Sequence, residues 1–219
     1  KAVSQTQVVD SKYFDDFFEL DASWTVTEDD AACTQAAQDE QFGVVLLTNK
    51  ATTDDNGQQI QWAQAFAKPT TGKRLWFEAR INCNGGDATN LDFFVGLAAD
   101  NTDLTGVADN MPSNGIGFHK DDGDTNIDFS TSDDDTHIQQ AAVATLANDT
   151  YIRLGFSFDG GATGSGVLTP YVNGVAGTQI TTMTYATMAE IAPIIMIRNG
   201  DGTTQQKIKI DYVQVISER

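Results

Sequence analysis

Basic residues, histidine, cysteine and proline are all scarce in this chain. Its 219 residues include 13 lysines and arginines against 31 aspartates and glutamates, which gives a formal net charge of −18. A surface this acidic repels phosphate backbones and anionic lipids, so nucleic acids and membranes are not expected as partners. No apolar run approaches the roughly 18 residues of a transmembrane helix, and the first residues lack the apolar core of a signal peptide.

The two cysteines and two histidines form no recognisable metal or nucleophile motif. Cys33 and Cys83 stand far apart and outside any CxxC pattern, so the sequence favours two reduced thiols, with one disulfide as the alternative. His119 and His137 have no G-x-S-x-G serine to activate, and both are predicted to be surface residues in loops or at strand ends.

What the sequence does have is an apolar residue at every second position in many short segments. In YIRLGFSF, residues 151–158, the residues Ile152, Leu154 and Phe156 share one parity, which indicates a half-buried strand. Turn signals separate this segment from others of the same kind, which predicts an antiparallel sandwich. The others are residues 42–48, 58–66, 73–81, 91–98, 114–120, 125–130, 166–171, 192–197 and 207–216.

Helical periodicity is nearly absent, which excludes a parallel sheet with crossover helices. Residues 181–193, TTMTYATMAEIAP, predict one short helix, and residues 29–40 are ambiguous between a helical turn and a loop. Pro170 lacks a backbone N–H, so its strand is expected at a sheet edge or at a bulge.

The order of these strands resembles that of the concanavalin A-like jelly rolls, the group of the laminin-G and glucanase-related sandwiches. The resemblance spans residues 13–217 and rests on YFDDFFEL, LWFEARI, DFFVGLAADNTDL, YIRLGFSFDG, PYVNGV and IKIDYVQV. It implies an all-β, two-sheet antiparallel jelly-roll sandwich with at most one or two short helices. Residues 1–219 are expected to form one domain, with residues 1–12 as an N-terminal arm.

Members with this plain layout include virion proteins of tailed phages. The resemblance therefore implies a structural decoration or cement protein on a phage capsid, located at the virion surface. Its expected partners are capsid or other virion proteins and further copies of itself in a homo-oligomer. The alternative is a carbohydrate-binding, lectin-like module of an extracellular protein, with a cell-surface glycan as its partner.

A glycan hydrolase or lyase is the least favoured interpretation. Glucanases of this group carry paired acids in the pattern E-x-D-x-x-E, since alternate strand positions point the same way and converge on one sugar bond. Glu78 in WFEARI has no such partner, and His137-Ile138-Gln139 reverses the QIH of the alginate lyases. The sequence therefore predicts that the protein is not an enzyme.

A candidate glycan platform follows from the parity of two strands. Trp76, Glu78 and Arg80 lie on the face opposite the apolar positions of their strand, as do Tyr151 and Arg153 on theirs. If the two strands are neighbours, these side chains form a surface on which sugars stack and accept hydrogen bonds. The alternative is ordinary packing of exposed cross-strand pairs.

The resemblance also implies one metal site. In related carbohydrate-binding sandwiches the N-terminal segment and the closing strand share a structural calcium, for which Asp15, Asp16 and Asp211 are the candidate ligands here. No other cofactor is expected. The acidic stretch at residues 121–128 lacks the glycine of a calcium loop and is predicted to be the tip of a hairpin.

Overall fold

The computed structural model describes residues 10–50, 53–100, 102–106, 110–161 and 165–219, and in these the chain forms strands and no helix. Across the same residues, no helix has the length and apolarity needed to cross a membrane. The strands are β1 (Asp10–Asp15), β2 (Trp24–Glu28), β3 (Thr34–Ala37), β4 (Val45–Thr48), β5 (Gly57–Trp62), β6 (Arg74–Cys83), β7 (Leu91–Ala99), β8 (Gly115–Lys120), β9 (Asn126–Asp133), β10 (Thr136–Thr145), β11 (Tyr151–Asp159), β12 (Ser165–Val172), β13 (Val175–Ala176), β14 (Ile180–Thr184), β15 (Ile191–Asn199) and β16 (Lys207–Glu218).

The strands form two antiparallel sheets that pack as a jelly-roll sandwich, as the sequence predicts. The first sheet has the order β13-β12-β11-β6-β16-β4-β3, with β1 also beside β16 and β14 also beside β12. The second sheet has the order β10-β9-β8-β7-β15-β5-β2. The first strand and the last strand are therefore neighbours, and β16 lies inside the first sheet.

Aromatic side chains join the two sheets in the main core. Phe77 of β6 lies opposite Phe156 of β11, with ring centroids 5.3 Å apart. Phe129 of the second sheet approaches Phe156 to 5.8 Å between centroids, and all three side chains are buried. The inward parity predicted for β11 is thus confirmed.

The central strands of the second sheet are buried on both faces. Phe94 of β7 and Met196 of β15 point away from the main core into a second apolar cluster. Leu104 and Met111, from the connection between β7 and β8, complete this cluster. The connection therefore covers part of the outer face of the second sheet.

The short helix predicted at residues 181–193 is wrong. Ile180 and Met183 instead belong to β14 and pair with Leu168 and Gly166 of β12, so the backbone hydrogen bonds of this segment go to a neighbouring strand. Residues 29–40 form turns and the strand β3. Pro170 lies opposite Phe156 of β11, and on the other side of β12 it falls between the residues that pair with β14 and with β13.

The structure describes only the last three residues of the N-terminal arm predicted at residues 1–12. Residues 10–12 belong to β1 and pair with residues 216–218 of β16, while residues 1–9 lie outside the described residues. A single domain over residues 1–219 remains a prediction.

Candidate functional site

The outer face of the first sheet carries a connected group of aromatic and charged side chains, which we call the aromatic face. Its centre is β6, where Phe77 and Ala79 point into the core and Trp76, Glu78 and Arg80 point outward. This alternation follows from the two-residue period of a strand.

The two strands of the predicted glycan platform are neighbours. Strand β11 pairs with β6 so that Arg153 lies opposite Arg80 and Tyr151 lies opposite Asn82. The Arg80 guanidinium carbon sits 3.9 Å from the centre of the Tyr151 ring, a cation–π contact. The structure therefore places Trp76, Glu78, Arg80, Tyr151 and Arg153 on one surface, and their role in glycan binding stays a prediction.

Three further aromatic residues extend this face and escaped the sequence analysis. Tyr171 of β12 packs 4.9 Å from Trp76 between ring centroids, and Tyr212 of β16 stacks on Phe14 of β1 at 6.0 Å. The pairing of β16 with β6 shifts between Ile210 and Tyr212. This bulge turns Tyr212 outward, whereas strict alternation from Ile210 would turn it into the core.

Polar contacts fix the side chains of the aromatic face. The Tyr212 hydroxyl donates to Glu78 Oε1 at 2.5 Å, and burial together with this bond raises the pKa of Tyr212 to about 12. Arg80 forms an ion pair with Asp211, and Arg153 donates to the backbone oxygen of Asn173 at 3.1 Å. These contacts hold the Tyr212 ring and the two guanidinium groups in place.

A second candidate site, the acidic cleft, lies at one end of the second sheet. Its volume is about 440 Å³, and Arg198 is the one basic side chain among the described residues that line it. Six aspartates line the same cleft: Asp29, Asp54, Asp55, Asp92, Asp121 and Asp122.

Asp92 is the buried carboxyl of this cleft, with 1% of its surface exposed. Its Oδ2 accepts a hydrogen bond from Arg198 Nη2 at 3.1 Å, and its Oδ1 has no hydrogen-bond partner among the described residues. Burial raises the pKa of Asp92 to about 6, against the lowering effect of Arg198, and the negative charges of Asp122 and Asp121 raise it further. The one signal for Asp92 in the sequence is a charged residue within the apolar run of β7.

The structure does not bring the three predicted calcium ligands together. Asp15 accepts hydrogen bonds from the Phe17 backbone N–H at 2.8 Å and from Trp24 Nε1 at 2.7 Å, and Asp211 is paired with Arg80. In the part of the chain that the structure describes, no group of three or more acidic, histidine or cysteine side chains is arranged to hold a metal ion.

The remaining candidates are the acidic stretch at residues 121–128, the two histidines and the two cysteines. Residues 121–125 join the antiparallel strands β8 and β9, as predicted for a hairpin tip. His119 is buried, with Nε2 2.9 Å from Ser130 Oγ. Its predicted surface position is wrong because β8 lies inside the covered second sheet.

His137 is exposed in β10. Cys33 and Cys83 are both free and buried, and burial raises the pKa of Cys83 to about 11.

The chain matches no protein-family model. It also matches none of the curated proteins. Solved structures do share its fold at low sequence identity. An endo-1,3-β-glucanase from Streptomyces sioyaensis is 15% identical, with a TM-score of 0.68 over 100% of this chain and 99% of that protein. Peanut lectin is 11% identical, with a TM-score of 0.64 over 96% and 98%. An endo-β-1,4-glucuronan lyase from Trichoderma reesei is 11% identical, with a TM-score of 0.61 over 93% and 94%.

These neighbours confirm the concanavalin A-like jelly roll, which is the fold of lectins and of glycan-cleaving enzymes. They contradict the prediction that the protein is not an enzyme. That prediction rested on a missing E-x-D-x-x-E strand motif, and a glucanase and a lyase share the present fold over nearly its whole length. The capsid partner and the virion role find no support among the neighbours named above and stay predictions.

Proposed function

We propose that this protein binds an extended glycan chain on its aromatic face. The observation that carries the proposal is two pairs of aromatic rings on the outer face of the first sheet, Tyr171 with Trp76 and Tyr212 with Phe14. Sugar rings stack on such faces, because the apolar side of the sugar covers the ring while its hydroxyls bond to neighbouring polar groups.

The dimensions of the face favour a polymer over a single sugar. The two pairs lie on strands from β12 across β11, β6 and β16 to β1, and four strand spacings of about 4.8 Å make roughly 19 Å. Glu78, Arg80 and Arg153 lie on the same face as donors and acceptors for a glycan. The lectin among the structural neighbours supports carbohydrate recognition by this fold.

Replacement of Trp76 tests this proposal. Trp76→Ala should weaken glycan binding by tenfold or more, because it removes the central stacking surface. The measurement is binding to a glycan array and to soluble β-glucans by titration calorimetry. Phe42→Ala is the matched control, since Phe42 is 68% exposed and lies outside the strands of the aromatic face. Binding to no glycan at all, or equal binding by the Trp76→Ala protein, would contradict the proposal.

A second candidate function is glycan cleavage in the acidic cleft. The observation that favours it is Asp92, a buried carboxyl with a pKa of about 6 beside further carboxylates. A general acid must carry its proton at the working pH, and a partner carboxylate must stay ionised. Asp92 supplies the first property, and Asp121 and Asp122 line the same cleft as candidates for the partner carboxylate.

The cleavage candidate is tested by release of reducing ends from β-glucans and from polyuronates. The wild-type protein should release them with an activity that falls as Asp92 ionises, and Asp92→Asn should abolish the release. If the folded wild-type protein releases none, this candidate is rejected, whereas glycan binding on the aromatic face is judged by the Trp76 experiment alone.

A further inference from the structure

Two segments of the sequence carry no charge at all. Residues 136–148 and 160–189 contain none of the 31 aspartates and glutamates and none of the 13 lysines and arginines of the chain. At the chain's average of 20% charged residues, segments of this combined length would hold about nine. The lack of charge is therefore a property of these two segments and not of the chain as a whole.

The fold brings the two uncharged segments to the same lateral side of the sandwich. Strand β10 is the edge strand of the second sheet, and β13 and β14 lie at the edge of the first sheet, both beside β12. Strand β10 comes close to β14, and the Gln140 side-chain amide donates to the Gln179 backbone oxygen at 3.4 Å. We call the surface formed by β10, β13 and β14 the uncharged side.

The uncharged side is open to solvent. No residue of β10 is buried, and Thr181, Thr182 and Thr184 of β14 are exposed. Val175 of β13 has 72% of its surface exposed, more than any other large apolar side chain among the described residues. Strand β10 pairs with β9 along one edge, and no described strand pairs with its other edge.

The edge of β10 has little of the usual protection against pairing with another strand. Monomeric proteins blunt an exposed edge strand with charged side chains, with proline or with a bulge. Strand β10 contains neither a charged residue nor a proline. Its bulge lies between Gln140 and Ala144, so residues 136–140 keep a regular register with β9. This regular half of the edge is therefore a template for strand pairing.

The absence of charge favours a second copy of this chain as the partner. In a twofold interface each patch meets the same patch of the other molecule, so a patch with charges of one sign repels itself. The opposite side of the sandwich, where β2 ends, carries Glu28, Asp29 and Asp30 in succession. That side would repel its own copy and attract a basic partner. On the uncharged side, the acidic groups Asp128 and the turn at residues 134–135 lie at the border.

The dimensions of the uncharged side fit a stable dimer. The ten residues of β10 at about 3.4 Å each make roughly 34 Å, and two layers about 10 Å apart, with their outer side chains, are roughly 20 Å thick. A patch of this size covers about 700 Å², close to the roughly 800 Å² per partner of a standard interface. We propose that two copies of this chain form a dimer about a twofold axis, edge to edge through their uncharged sides. This inference goes beyond glycan binding and does not depend on it.

The test is sedimentation velocity of the full chain at micromolar concentration. The wild-type protein should sediment as a dimer. Its dissociation constant should fall by about threefold or more between 0.05 and 0.5 M NaCl, since salt screens the repulsion between two acidic chains. An interface held by opposite charges would weaken with salt instead.

Two matched double variants at exposed positions locate the interface. Ala141→Glu with Val175→Glu places a carboxylate on both sheet edges of the uncharged side. It should raise the dissociation constant by about tenfold or more, because four added carboxylates then meet in the dimer. Ala36→Glu with Val26→Glu makes the same change on β3 and β2, the opposite edges of the two sheets, and the dissociation constant should stay unchanged. Thr182→Lys in β14 should also weaken the dimer, although it reduces the net negative charge, since it buries an unpaired ammonium.

Far-UV circular dichroism checks that each variant is folded, and Thr182→Lys decides if the Ala141 and Val175 double variant is not. Four results would overturn the inference. They are a folded wild-type protein that stays monomeric at every concentration, a dimer that weakens as NaCl rises, and equal dissociation constants in the two glutamate double variants. The fourth is assembly into species larger than a dimer that grow with concentration, since such a contact is open and not twofold.

Discussion

Asp92 combines burial, an ion pair with Arg198, an electrostatic interaction with the buried Lys120 and several acidic neighbours. Taking a carboxylate out of water is costly, and a single guanidinium repays this only in part when other carboxylates lie nearby. The balance favours the protonated carboxyl, which is why the pKa of Asp92 rises from 3.8 to about 6. Such a group is expected where a charged ligand or a proton transfer restores the balance.

The raised pKa of Asp92 predicts a pH dependence of stability. The folded state holds its proton more tightly than the unfolded state, so this contribution is fully present below pH 4 and is lost as the pH rises through about 6. The shift corresponds to roughly 3 kcal/mol. Carbon-13 NMR of the Asp92 carboxyl should give a midpoint near 6, and Asp92→Asn should remove this part of the loss in unfolding free energy. A midpoint at or below 4 would contradict the assignment.

At the scale of residues, the sequence predicts which way a side chain points where its strand keeps the regular two-residue alternation. Trp76, Glu78 and Arg80 follow strict alternation, so their shared face is visible in WFEAR. Tyr212 follows a bulge in β16. The extra residue there reverses the order of inward and outward side chains that the spacing of Ile208 and Ile210 predicts. Asp92 depends on residues distant in sequence, and no local pattern records them.

Two glycines allow β7 and β8 to approach closely in the second sheet. Gly96 lies directly opposite Gly117. A Cβ atom on Gly96 would lie 2.3 Å from the Ile116 backbone oxygen and 2.5 Å from the Gly117 Cα. Backbone atoms cannot move aside as a flexible side chain can. The pairing of β7 with β8 therefore requires a glycine at position 96.

Gly96→Ala should therefore lower the unfolding free energy by more than about 2 kcal/mol, because the two strands must separate to admit a methyl group. Chemical denaturation monitored by fluorescence measures the change. Gly202→Ala serves as the control, since a Cβ there meets its nearest neighbour, the Asp54 backbone nitrogen, at an ordinary 3.9 Å. Equal stability of the Gly96→Ala and wild-type proteins would show that the strands are further apart than described.

At the scale of elements, long alternating segments were predictable and short or paired ones were not. Strands β6, β7, β11, β15 and β16 follow the segments found in the sequence. The sequence of β14 predicts a helix, because its strand conformation depends on pairing with β12. This pairing is a tertiary interaction that the local sequence does not show. The burial of β7 on both faces depends on the connection that carries Leu104 and Met111.

At the scale of the whole molecule, the net charge of −18 sets a dependence on salt. Like charges repel more strongly in the compact state than in the unfolded chain, and salt weakens this repulsion. Raising NaCl from 0.02 to 0.5 M should raise the unfolding free energy by about 1 kcal/mol or more. Thermal unfolding in NaCl and, as a control, in an uncharged osmolyte at equal osmolality checks this. A fall in stability with salt would contradict it.

The fold was predictable as a whole because many weak strand patterns agree, whereas the function class depends on a few side chains. The missing E-x-D-x-x-E strand suggested no catalysis, yet carboxylates also converge from β7 and from separate loops in the acidic cleft. The virion location, the capsid partner and the homo-oligomer remain predictions. Detection of the protein in purified phage particles and a native mass measurement address them.

The position of β16 has a consequence for synthesis on the ribosome. This strand lies between β6 on one side and β4 and β1 on the other, although it is the last of the described strands to be made. Until it emerges, the nascent chain presents unpaired edges of β6 and β4, which are templates for aggregation. During translation, we therefore expect chaperones to bind the first sheet. The nascent chain should become resistant to proteases abruptly, once β16 has left the ribosome.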